Sequence, residues 1–237
     1  TAIGASASAE AEQGGTAIGA LSLAAGTGST AIGGNAEAYG DGSLVAGFGS
    51  GANGEAGVAL GANSRAMGGD FGVAIGGSSY AIGQGATSVG GLAWAEGNYT
   101  LASGYYSTAV GDGSIALGGG LGVDLDGDGM IGPGEATVAA GYHAVALGYQ
   151  AAALGDGTLA LGDQAQALQL NATAVGSMSM AAGESSTATG ANSVANGVES
   201  SAYGANSYAD ADYSTAIGSG SLALGSGATA VGAGANA

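Results

Sequence analysis

Glycine stands at every seventh position along almost all of this 237-residue chain, and no other feature limits its folding so tightly. The first run is Gly19, Gly26, Gly33, Gly40, Gly47, Gly54, Gly61 and Gly68. After a one-residue slip the beat resumes at Gly76 and holds to Gly118, and beyond an insertion it returns at Gly141, broken later only by Gln169 and Ala211. Alanine precedes nearly every one of these glycines by two residues, with Val45 and Ser88 as the exceptions before the insertion. Between alanine and glycine stand residues such as Ile18, Ile32, Leu60, Ile75, Leu147 and Val175, giving blocks that read TAIG, LALG and TAVG.

A helical heptad would share this period, but a glycine in each heptad costs about 1 kcal/mol relative to alanine, and the Gly-Asp-Gly and Gly-Ser-Gly clusters add to that. A short alternating stretch followed by Gly with Ser, Asn or Asp reads instead as strand and tight turn. Strands too short for hairpins, joined by turns of equal length, stack as rungs of a parallel β-solenoid. Alternating fillings, TAIG at 16–19, LAAG at 23–26 and TAIG at 30–33, pair two units into a 14-residue coil and predict about sixteen rungs. Because successive strand residues face opposite sides, the alanines share one face and their larger neighbours the other. Alanine therefore marks the closest approach of surfaces.

Composition limits what such a coil can be. Hydrophobic residues make up 46% of the chain and charged residues 8%, but there are only two Phe and one Trp, so the core must be thin. A thin single roll buries little apolar area alone, which predicts oligomerisation. The net charge of −17, with Arg65 the one base against 18 acids, excludes nucleic acid and disfavours anionic membranes. The absence of cysteine excludes a disulfide framework and thiolate metal sites. No apolar run approaches the roughly 18 residues that span a bilayer, and Thr1 does not open a signal segment, so any membrane anchor is expected elsewhere and no direct membrane contact by this segment.

Between Gly118 and Ala139 the beat fails, and the gap contains DLDGDGMIGPGE at 124–135. This matches the EF-hand calcium loop, with acids at loop positions 1, 3 and 5, glycine at 6, an apolar residue at 8 and glutamate at 12. Ca²⁺ takes six to eight oxygens; Asp124, Asp126 and Asp128 supply carboxylates, Met130 its carbonyl and Glu135 a bidentate carboxylate. Gly129 permits the sharp turn, and Gly132 leaves its coordination position to water. No flanking helices are expected, so the loop reads as a static staple. The competing reading is a solvated acidic loop that uses Asp-Gly for turns.

The blocks TAIGASASAEAEQG, STAIGGNAEAYGDGS, NSVANG and STAIGSGSLALGSGATAVGAGANA resemble the head repeats of YadA-like trimeric autotransporter adhesins. That resemblance implies an all-β, left-handed parallel β-roll with 14-residue coils, three chains packed side by side as a homotrimer. It further implies bacterial surface display beyond the outer membrane and attachment to host matrix, cells or abiotic surfaces. On this reading residues 1–237 form one head domain, with an insertion at 119–138 carrying the calcium loop. The run at 192–197 reads NSVANG, a departure from the family's NSVAIG repeat, and no collagen ligand is read from it.

No catalytic constellation accompanies these features, and the chain is not expected to be an enzyme. His143 is the one histidine and has no nucleophile or acid at recognisable spacing, which favours a surface or turn position. Asp41, Asp112 and Asp156 recur in GDG[ST] settings, which favours turn chemistry over acid–base catalysis. Trp94, Tyr99, Tyr105 and Tyr106 fall in one interval and form a candidate ligand patch, with filling of wider coils as the alternative. Arg65 is expected to pair with a carboxylate across chains or to face water. Against the adhesive head stands an inert spacer that projects a distal binding domain; an ice-binding surface needs a regular Thr ladder, which Leu, Tyr and Met interrupt.

Overall fold

The computed structural model describes residues 1–122 and 134–237, which fall into two compact units, residues 1–113 and 114–237. Each unit is a parallel β-solenoid, and there is no helix among the described residues. In both, strands alternate between two sheets. Sheet I is built of three-residue strands such as Thr16–Ile18 and Thr30–Ile32, and sheet II of two-residue strands such as Leu23–Ala24 and Glu37–Ala38.

In the first unit Thr16, Ala17 and Ile18 pair with Thr30, Ala31 and Ile32, and Leu23 and Ala24 with Glu37 and Ala38, which is the predicted 14-residue register. The slip in the glycine beat lengthens one coil by a residue, so that Val58 pairs with Val73 and Arg65 with Tyr80 without disturbing which side chains face inward. In the second unit Ile115, Ala116 and Leu117 pair directly with Val145, Ala146 and Leu147. The coil that contains the insertion therefore closes in register.

Both strands of every coil turn their alanine inward. Ala17, Ala31, Ala59, Ala74 and Ala102 on sheet I, and Ala24, Ala38, Ala52, Ala66 and Ala95 on sheet II, are wholly buried, as are their counterparts in the second unit from Ala146 to Ala216. The alanines thus line the inside of each coil, where the two sheets of one chain meet. Val45 and Ser88 occupy the same rank; Ser88 satisfies its hydroxyl by donating to the Ala93 carbonyl at 2.8 Å.

Glycine is required at the strand ends for two separate reasons. Gly61 has φ +132°, and a Cβ there would stand 2.6 Å from the Gly76 carbonyl oxygen of the next rung. Gly40 has no unusual φ, but its Cβ would run into the Gly54 carbonyl. The rungs stack too closely at these points for any side chain. After many of these glycines a Ser or Thr caps the corner from within: Ser64 donates to the Gly61 carbonyl at 2.9 Å and Thr100 to the Gly97 carbonyl at 2.7 Å.

Outside the insertion, each corner also holds a residue with φ near +60°. In the first unit these include Leu21, Asn35, Asn63, Leu92 and Tyr106 in the corners from sheet I to sheet II, and Ala56, Phe71 and Tyr99 in the corners from sheet II to sheet I, with φ of 52–63°. Such a backbone disfavours L-residues, Asn and Asp less than the others, and leaves only the achiral glycine unstrained. The corner geometry is imposed by stacking on the neighbouring coils, not by the preference of its own residue.

Candidate functional site

The outer surfaces of the two sheets differ in kind. On sheet I every outward strand position is uncharged in both units, occupied by Thr, Ser, aliphatic residues, Ala46 or Tyr203. Ile18, Ile32, Ile75 and Val89 in the first unit, and Leu117, Leu161, Tyr203 and Ile217 in the second, are 36–42% exposed. Most carboxylates gather instead on sheet II, as Glu10, Glu37, Glu96 and Asp210, and in the corners from sheet II to sheet I, as Glu12, Asp41, Glu55, Asp70, Asp112, Asp156, Glu184, Glu199 and Asp212, while Asp163 stands in a corner from sheet I to sheet II.

The aspartates in the corners from sheet II to sheet I do structural work before any other. Asp41 Oδ1 accepts the backbone N–H of Thr27 in the preceding coil at 2.7 Å, Asp112 that of Asn98 at 2.8 Å, Asp156 that of Tyr142 at 2.9 Å and Asp212 that of Val198 at 2.9 Å. The Asp of the GDG[ST] motif is thus an inter-rung clamp that ties down the coil before it; Thr158 also closes its own corner by donating to the Gly155 carbonyl at 2.6 Å, whereas the hydroxyls of Ser43 and Ser114 have no partner. His143, with φ 54°, lies exposed in the corner beside Tyr142.

The four aromatic residues grouped by the sequence occupy two places. Trp94 projects outward from sheet II, and its ladder partner on the previous rung is Tyr80, with ring centroids 5.0 Å apart and planes tilted by 35°. Tyr105 and Tyr106 meet edge to face at 4.7 Å in the corner that leads to Thr108, the residue paired with Trp94 on the following rung. Tyr99 sits in the opposite corner, 69% exposed, where its hydroxyl donates to Gln84 Oε1 at 3.3 Å. Its ring is so close to Gly85 that a methyl group there would stand 3.0 Å from Cδ1. Tyr80 escaped the sequence reading although the signal existed: it precedes Trp94 by one coil length.

Arg65 is the ladder partner of Tyr80 on one side and Gly51 on the other. Its guanidinium leans over Gly51, where a Cβ would be 3.7 Å from Nη1, and so points toward the rung that carries Glu37 and away from the aromatic pair.

Sequence reasoning also missed a polar cluster in the second unit. Tyr208 donates its hydroxyl to Asp210 Oδ1 at 2.9 Å, and Asn196 Nδ2 donates to the same oxygen at 2.9 Å and to the Tyr208 hydroxyl at 3.0 Å. The hydrogen bonds from Asn196 and Tyr208 hold the Asp210 carboxyl below its usual range, while the bond to Asp210, burial and the nearby negative charge push the Tyr208 phenol up.

Of the calcium ligands expected from sequence, Asp124, Asp126, Asp128 and Met130 lie outside the described residues, together with most of the 124–135 loop. Glu135 is described and is 3% exposed. Either side of the insertion is stitched together: Leu121 N–H donates to the Glu135 carbonyl at 2.8 Å, and the Thr137 hydroxyl lies 2.9 Å from the Gly119 carbonyl and 2.7 Å from that of Gly148. Among the described residues no group of three or more His, Cys, Asp or Glu is arranged to hold a metal.

Comparison with known families matches the YadA head domain repeat in ten overlapping segments that together span residues 13–64, 81–120 and 134–221. No curated protein matches the chain. Among solved structures, the collagen-binding domain of the Yersinia adhesin YadA is 20% identical, with 86% of this chain and 70% of that chain covered, at a TM-score of 0.30.

Proposed function

The chain belongs to the YadA head repeat family, and from that premise we propose that it is the adhesive head of a bacterial surface fibre, attaching to host matrix, cells or abiotic surfaces. An adhesin-type head follows from the family; the attachment, its targets and display beyond the outer membrane are the proposal. The single observation that carries it is family membership over more than half of the chain, joined to outer surfaces that hold exposed aromatic side chains.

We further propose that three chains associate through their sheet I faces as left-handed rolls. An outward face that is apolar and carries no charge in either unit is suited to burial against its own copies, whereas the acid-bearing corners of a chain at −17 would repel one another. Calcium, in this reading, is held by Asp124, Asp126, Asp128, the Met130 carbonyl and Glu135. The donor set supports it over a solvated acidic loop, because four carboxylates and a carbonyl are the hard oxygen ligands that Ca²⁺ takes, at the EF-hand spacing. When bound, the ion would neutralise these acids and fasten the insertion to the coil, and the chain's part is to supply the oxygens.

Mass in solution with and without a chelator tests both points. A trimer whose melting temperature falls on calcium removal is the expected result; a monomer, or melting that ignores the chelator, overturns the corresponding part. Deleting the region from its parent fibre should abolish attachment. Attachment that survives deletion, or that declines only gradually as rungs are removed, identifies a spacer.

A further inference from the structure

We propose that the Tyr80–Trp94 strip on sheet II of the first unit is a docking surface for arginine- or lysine-bearing polypeptide segments. The inference rests on the adhesive reading and names the chemistry of the partner. Trp94 is the one tryptophan of the chain, is 37% exposed and is stacked against Tyr80 on the neighbouring rung. An aromatic ring offers its negative face to a cation.

The polar groups around the pair narrow the choice of ligand. The indole N–H of Trp94 is already donated to Glu96 Oε2 at 3.2 Å, and Asn98 Nδ2 lies 3.3 Å from each oxygen of Asp112. With the indole and amide donors engaged, the Tyr80 hydroxyl is the one remaining donor of the strip and also accepts, so what the strip offers in excess is acceptors and negative charge. A sugar hydroxyl needs both donors and acceptors, whereas guanidinium and ammonium groups carry donors alone. The first unit has eight carboxylates against the single Arg65, and that guanidinium leans over Gly51, away from Tyr80. No cation of the chain therefore needs to be displaced from the rings. A basic segment running along the rungs would set its stems against Tyr80 and Trp94 and its charged heads beside Glu96 and Asp112.

Trp94 supplies the readout. In the full chain, titration with hexa-arginine should produce a saturable change in tryptophan fluorescence that weakens as salt is raised, while maltohexaose and hexaglutamate produce none. Tyr80→Leu and Glu96→Gln should each weaken hexa-arginine binding about two- to fivefold, the range for one exposed cation–π contact in the first case and one exposed ion pair in the second. Glu184→Gln in the second unit should not. Circular dichroism and melting of each variant identify any that fails to fold, and Glu96, being exposed, remains informative if Tyr80→Leu does not. A salt-independent response to maltohexaose equal to that of hexa-arginine would assign the strip to neutral sugar and overturn the proposal. So would equal affinities for the parent, Tyr80→Leu and Glu96→Gln. If the peptide fails to bind while the chain still confers attachment, this inference falls and the adhesive reading stands; attachment unaffected by deletion sinks that reading whatever the peptide does.

Discussion

Sheet I and sheet II are made of the same repeat and enclose the same alanine interior, yet their outer faces have diverged. Sheet I presents Thr and aliphatic residues with no charge, and sheet II mixes Glu37, Arg65, Tyr80, Trp94, Glu96, Met180, Tyr208 and Asp210. The interior positions have little freedom, because a coil this thin accepts only small groups where its two sheets meet, alanine at nearly every rung with Val45 and Ser88 as the departures. The outer positions are free of that limit, so their chemistry reports what each face touches. One face is kept suitable for apolar burial and the other for contact with water and charge.

The largest effect should come from breaking what the two faces share. Ala74→Leu places an isobutyl group at a wholly buried position and should destabilise the fold by about 1–3 kcal/mol or more, seen as a fall in thermal or denaturant midpoint. Ile82→Leu, at an outward position on sheet II, should change stability by less than about 0.5 kcal/mol.

Next in size is the difference between the outer faces themselves. Ile75→Asp introduces a charge into the neutral face of sheet I and should reduce the mass measured by light scattering from that of the proposed trimer to that of a monomer. Ile82→Asp on sheet II should leave the mass unchanged. Equal loss of assembly from both would show that the uncharged face is not the one buried.

A smaller effect is expected at the corners, where the backbone overrides residue preference. Leu92 has φ 57° and is exposed, so Leu92→Gly should relieve a left-handed strain of about 1 kcal/mol and raise the midpoint, partly offset by the greater freedom of glycine in the unfolded chain.

The smallest concerns the polar cluster on sheet II. Asp210 has its carboxyl lowered from 3.8 by the bonds from Asn196 and Tyr208, so its contribution is complete above 3.8 and is lost as pH falls through the lower, folded value. Tyr208 has its phenol raised above 10.0, so its contribution is complete below 10.0 and is lost as pH rises through the higher value. Asn196→Ala should bring the Asp210 titration, followed by carboxyl-carbon NMR, back toward 3.8. An unchanged Asp210 titration would exclude the amide as the main cause.

Much of this was legible before any coordinates. The spacing of Gly19, Gly26 and Gly33 with alanine two residues earlier defines both the coil length and the inward row, because stacked strands must repeat their register and the repeat is written directly in the chain. The candidate site was less legible. Trp94, Tyr99, Tyr105 and Tyr106 are neighbours in sequence, but a coil sends Tyr99 to one corner and Tyr105 and Tyr106 to the other, while Tyr80, a full coil away, becomes the ring against Trp94. Proximity in a solenoid follows residues one coil apart as much as residues side by side. The Asn196–Tyr208–Asp210 cluster joins neighbouring rungs in the same way.

By itself the sequence determined the periodic solenoid, its alanine lining and the place where the insertion interrupts it, since each depends on a local spacing repeated many times. Only the tertiary structure decided why glycine recurs, which corners hold residues such as Leu92 and Phe71 in the left-handed region, and which side chains meet across rungs. These depend on how closely one coil's backbone approaches the next, a distance that no single repeat contains.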